Sequence, residues 1–128
     1  MTRTHNPAGV APPFSNYVHG VEVPANAKWL YVSGQLGVTP DGSVPGDFIG
    51  QAEQAFRNVI AVLQEAGMGV TDIVRVNTYL TDTADIGDYR GIRDRMLENH
   101  ATASTMLVIS ALAAPHFKIE IEVVAAKA

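Results

Sequence analysis

The run Lys118-Ile-Glu-Ile-Glu-Val123 near the C-terminus constrains the fold more than any other feature of the chain. Strand side chains alternate between faces, so Ile119, Ile121 and Val123 line one side while Lys118, Glu120 and Glu122 line the other. The aliphatic side demands a core. The opposite side carries two carboxylates roughly 7 Å apart, which bulk water or a covering partner must accommodate. On an open face the acids are simply solvated. Under a second subunit, desolvation raises the pKa of a carboxyl and fits it for proton transfer.

The rest of the chain supplies two amphipathic helices and several strands. From about Asp47, the residues Phe48, Ala52, Ala55, Phe56, Val59, Ile60, Val62 and Leu63 recur at three- and four-residue spacing, with Gln51, Glu53, Gln54, Arg57 and Asn58 assigned to the polar side. Gly67 stops that helix, since glycine takes the left-handed C′ conformation without a Cβ penalty. A capping cluster at 81–85 opens a second helix whose stripe holds Ile86, Tyr89, Ile92, Arg93, Met96 and Leu97. Residues 17–23 and 28–33 read as two strands, with a hairpin the economical pairing. Residues 73–80 form another strand, and the nearly continuous apolar run 105–112 reads as one buried on both faces. The order is ββαβαββ, an α+β fold with a mixed sheet. Two helices cannot cover both sides of such a sheet, so the Glu120 and Glu122 face is left for water or a partner.

Length and charge narrow the function. A chain of 128 residues fits one core, with 1–15 a Pro- and Thr-rich flexible lead-in and 16–128 a single domain. The net charge of −4 provides no basic field for phosphate backbones, which argues against nucleic-acid partners. With no cysteine there is no thiolate nucleophile or Cys-ligated zinc, and the four histidines show no ligand spacing, so no metal and no cofactor are expected. No apolar leader or bilayer-length run is evident, so a cytoplasmic protein without membrane contact is expected.

Four short motifs occur in one order: Asn16-Tyr-Val-His-Gly20, Val32-Ser-Gly-Gln35, Val70-Thr-Asp-Ile-Val74 and Ile119-Glu-Ile-Glu122. Together, across residues 17–126, they closely resemble the RidA (YjgF-type) reactive-intermediate deaminase family. The resemblance implies a chorismate-mutase-like fold and a homotrimer with clefts between subunits. It also implies water-assisted hydrolysis of enamine and imine metabolites to 2-oxo acids and ammonia. Glu120 matches the water-activating glutamate, and Tyr17, Ser33 and Gly34 match residues lining the cleft. Glu122 is the weaker candidate and reads as structural.

Three departures from the family pattern stand out. The family's deaminases carry an arginine at the start of the penultimate strand that forks the substrate carboxylate. Here that position falls on Ser104 or Thr105, and loss of such a contact removes roughly a few kcal/mol. In the second helix, Arg90 stands where an asparagine is frequent, with Arg93 one turn later, so either is a candidate for a relocated anion clamp; the alternative is that both pair with Asp88, Asp94 or Glu98 on the surface. Met106 or Leu107 replaces the family's frequent cysteine. The expected site is therefore Glu120 with Tyr17, Ser33, Gly34, Arg90, Arg93, Ser104, Thr105 and Met106 around a small metabolite. The competing function class is a non-catalytic trimer that binds a ligand or regulates a partner.

Overall fold

The structure, a computed structural model, describes residues 2–128. Strands β1 (Arg3–His5), β2 (Gly20–Glu22) and β3 (Lys28–Leu36) precede helix α1 (Phe48–Glu65). Strand β4 (Ile73–Leu80), helix α2 (Ile86–Met96), β5 (Ala103–Val108) and β6 (Ile119–Lys127) follow. The main sheet runs β3-β6-β4-β5, with β4 and β5 parallel and the other neighbours antiparallel.

The C-terminal strand therefore lies inside the sheet. Its odd-numbered residues Ile119, Ile121, Val123 and Ala125 are at most 2% exposed, as the aliphatic side of the alternation requires. Helix α1 packs over β3 and β6 with Phe48, Ala52, Ala55, Phe56, Val59 and Leu63 buried, and α2 lies beside it. The Phe56 and Tyr89 rings stack with centroids 6.1 Å apart. Both helices occupy one sheet face, and burial of each large aliphatic or aromatic side chain there contributes about 1.5–3 kcal/mol.

Helix boundaries follow local chemistry. The Asp47 carboxylate caps α1 by accepting from the Gly50 N–H at 3.2 Å. At the other end Gly67 has φ +74°, its N–H donates to Gln64 and that of Met68 donates to Leu63, the paired bonds of a Schellman stop.

Some expectations need correction. Residues 17–23 do not form a hairpin with β3. Instead β2 pairs with β1, and the Val18 N–H is taken by the Thr102 carbonyl at 3.1 Å, so this segment is drawn to β1 and to the start of β5 and not to β3. The segment expected as a lead-in thus contributes a strand, joined further by His5 and Glu22 at 3.0 Å. The apolar run at 105–112 is not buried on both faces. β5 is the edge strand of the main sheet, flanked by β4 on one side and met on the other only by a bridge from Val18 to Ala103; it ends at Val108, and Leu107 remains 48% exposed. Gln51, assigned to the polar side of α1, is buried, with its amide spent on the Pro45 and His116 carbonyls and the Lys118 N–H.

In the core, the Thr78 and Tyr89 hydroxyls are hydrogen-bonded at 2.5 Å, and both side chains are essentially inaccessible. Thr78→Val preserves shape but leaves the phenol without its partner. A loss of about 1–3 kcal/mol is expected, read as a lower urea midpoint at unchanged slope.

Candidate active site

The face that no helix covers is built from alternate residues of all four strands. Cross-strand register places Tyr31 beside Val124, Asn77 beside Glu122, and Tyr79 beside Glu120, while Arg75 on β4 reaches Thr105 on β5. Glu122 is held. Its Oε1 accepts from the Tyr79 hydroxyl at 2.8 Å and from the Asn77 amide at 3.2 Å. That hydrogen bond, helped by burial and by the charges of Glu122 and Glu120, pushes the Tyr79 phenol above its ordinary pKa.

Glu120 is placed differently. The β3–β6 register shifts between Val32 and Gln35, and the two residues at the bulge are Ser33 and Gly34. A Cβ on Gly34 would stand 2.0 Å from Glu120 Oε2 and 2.7 Å from Cδ, so the carboxyl lies directly against the glycine backbone. The Glu120 side chain is half-buried and, among the described residues, accepts no hydrogen bond. Ser33 lines an adjacent depression of about 320 Å³ with Tyr31, Asn77 and Glu122. This corner offers an uncommitted carboxylate against the backbone of a β-bulge, a group able to orient and deprotonate a water.

The remaining expected residues gather on the other side of the sheet edge. A cavity of about 170 Å³ is lined by Phe14, Ser15, Tyr17, Arg90, Arg93, Ser104 and Met106. The period of a strand explains the sorting: Ser104 and Met106 are in register with the core-facing Val76 and Thr78, whereas Thr105 pairs with Asn77 and accepts from Arg75 Nη2 at 2.7 Å. Of the two residues eligible for the family's arginine position, only Ser104 opens into the cavity, and Thr105 lies on the uncovered face. Within one chain the expected site is thus divided, with Glu120, Ser33 and Gly34 on one side and Tyr17, Arg90, Arg93, Ser104 and Met106 on the other.

A family model described as Endoribonuclease L-PSP matches residues 8–127. The chain belongs to this family. The 2-iminobutanoate/2-iminopropanoate deaminase of Escherichia coli K12 is 32% identical over 124 residues, covering 94% of this chain and 91% of that protein. A RutC family protein of Aquifex aeolicus is 32% identical over 117 residues, with 90% and 91% covered. Among solved structures, the Rid-family protein YyfB of Yersinia pestis superposes with a TM-score of 0.87 at 28% identity over 97% of both chains. E. coli TdcF, crystallised with bound serine, gives 0.74 at 28% identity over 93% and 91%. The family read from the four motifs and the α+β class with its mixed sheet are borne out.

Against the L-PSP-family pattern, sequence reasoning overlooked three contributors. Tyr79 and Asn77, which fix Glu122, carry a faint signal, since both alternate onto the same side of β4. Gln51 has none. It fastens the residues entering β6, the strand that carries Glu120, to the start of α1. Among the described residues there is no cluster of three or more histidine or acidic side chains suited to a metal, and no helix long and apolar enough to cross a membrane.

Proposed function

We propose that the protein is a hydrolytic deaminase of reactive enamine and imine metabolites, working as a homotrimer whose sites lie in clefts between subunits. The observation that carries this reading is the uncommitted, half-buried Glu120 carboxylate set against Gly34 on the sheet face that lacks a helical cover. The 2-iminobutanoate/2-iminopropanoate deaminase of E. coli, to which the chain is similar, supports the substrate class. The family carries the name of an endoribonuclease, but a net charge of −4 gives little attraction for a polyanion.

In this reading the divided site is completed by a neighbouring copy. Trp29 and Tyr31 stack at 6.5 Å on the uncovered face and are 52% and 75% exposed, an apolar surface that a second subunit would bury. Glu120 of one subunit then faces the Tyr17 and Ser104 cavity of the next. The chemistry needs no redox partner. An enamine first takes a proton at carbon to become the iminium ion. Glu120 removes a proton from water as its oxygen bonds to the imine carbon, giving a carbinolamine. Glu120 passes that proton to nitrogen, the C–N bond breaks to release ammonia, and the Glu120 carboxylate takes the hydroxyl proton as the carbonyl forms. Ser33, the Gly34 backbone and Tyr17 hold the polar end of the substrate.

The test couples the protein to a dehydratase that generates 2-aminoacrylate and follows ammonia release against buffer. Acceleration supports the reading. A rate equal to buffer removes the deaminase activity. Dilution to nanomolar concentration with light-scattering mass measurement tests the assembly, where a mass of a single chain throughout defeats the shared cleft.

A further inference from the structure

Among the described residues, the cavity on the helix side contains no acidic lining residue but several hydrogen-bond donors. Arg93 is the most constrained of them. Its side chain is only 7% exposed, and its guanidinium lies 5.8 Å from the Tyr89 ring centroid. Asp94 Oδ1 accepts from its Nε at 3.1 Å and its Nη2 at 3.0 Å, and Asn16 steadies that carboxylate through a third bond at 3.3 Å. A guanidinium has five N–H donors, so this pairing uses two, and the Ser15 hydroxyl at 3.5 Å is a long third. Buried cationic donors left without acceptors are costly, which favours an anion in the adjoining space. Arg90 lines the same cavity and, among the described residues, has no acid within salt-bridge distance. Against the two arginines stands the single carboxylate of Asp94, so the pocket carries net positive charge.

The neutral lining points the same way. Tyr17 uses its hydroxyl oxygen to accept from the Phe14 N–H at 3.3 Å, which leaves its proton to donate. Ser104 adds a hydroxyl. Met106 and Phe14 form apolar walls of a small cavity of about 170 Å³. This suits a short-chain carboxylate better than a nucleotide or peptide. Because Ser104 is too short to fork a carboxylate, the charge must come from α2.

We infer that Arg93, with Arg90 at the rim, seats the substrate carboxylate from helix α2 in place of the strand arginine that Ser104 replaces. Arg93 is the fixed member, held by Asp94, and exposed Arg90 folds over the bound anion. The inference rests on the deaminase reading for the identity of its substrate, a small 2-imino or 2-enamino acid. The anion site itself is testable with a stable carboxylate.

The probe is 2-oxobutanoate, titrated into the full chain by calorimetry at low salt, with ammonia release measured in parallel on each variant. Wild type is expected to bind, with affinity falling as KCl is added. Arg90→Met, an exposed change, is expected to weaken binding several-fold. Arg93→Met is expected to weaken it about 10- to 100-fold, and adding Ser104→Arg to it to recover part of the loss. Wild-type affinity in Arg90→Met and Arg93→Met, or no binding by wild type, overturns the clamp. Should Arg93→Met fail to show a cooperative melt, Arg90→Met decides alone. The two readings separate cleanly. Arginine-dependent binding without ammonia release keeps the clamp and removes the deaminase. Undiminished ammonia release in both arginine variants keeps the deaminase and removes the clamp.

Discussion

Replacing Glu120 with glutamine is expected to lower imine hydrolysis by about 10²–10⁴-fold, the contribution typical of one positioned proton-transfer group. The amide fills the same space against Gly34 but cannot take a proton from water. Affinity for 2-oxobutanoate should change little, because the proposed anion contacts are made by Arg90 and Arg93 and not by Glu120. A fall in turnover without a matching fall in affinity identifies loss of transition-state stabilisation. Glu122→Gln is the control. Glu122 already accepts from Tyr79 and Asn77, so its carboxylate is committed to the sheet, and its variant should keep most of the activity. If both variants bind 2-oxobutanoate like wild type and wild type has no rate above buffer, the protein is a ligand-binding member of its family. Equal loss in both variants would deny Glu120 its separate role.

Much of the fold was legible because its determinants are local. The alternation at 118–123 specified a half-apolar strand, the aspartate at 47 and glycine at 67 bracketed α1, and the stripe through Tyr89 and Arg93 specified α2. Pairing was less legible because it depends on distant competition for backbone donors. Nothing near residues 17–23 indicates that Thr102 will take the Val18 N–H, or that β1 will capture β2. The apolar composition of β5 describes what surrounds it, not how many strands flank it. In the site, residue types were legible but their sides were not. Whether Ser104 or Thr105 faces the cavity is a one-residue question of strand register, which becomes visible only in their pairing with Val76 and Asn77. Gln51 escaped for a related reason: its partners include His116 and Lys118, far along the chain, and without them a glutamine belongs on the solvent side.

Gly34→Ala is expected to reduce turnover by about 10²-fold while leaving the melting temperature close to that of wild type. The reason is steric and narrow. Gly34 is not among the residues with positive φ, so an alanine backbone fits there without strain. Its methyl group would meet Glu120 at Oε2, Cδ and Cγ, at 2.0, 2.7 and 3.1 Å. What it strikes is mainly the end of a flexible side chain, which swings aside at small energetic cost. The bulge and the β3–β6 pairing then survive, and restricting the unfolded chain offsets part of that cost. The carboxylate nevertheless moves by an ångström or more, enough to break alignment with a water and an imine carbon. The double variant supplies the decisive comparison. If Gly34 acts only by placing the Glu120 carboxylate, then adding Gly34→Ala to Glu120→Gln should cost almost nothing further, a strong departure from additivity. Full activity in Gly34→Ala, or losses that multiply in the double variant, would show that the carboxylate's seat on the glycine backbone is incidental to the reaction.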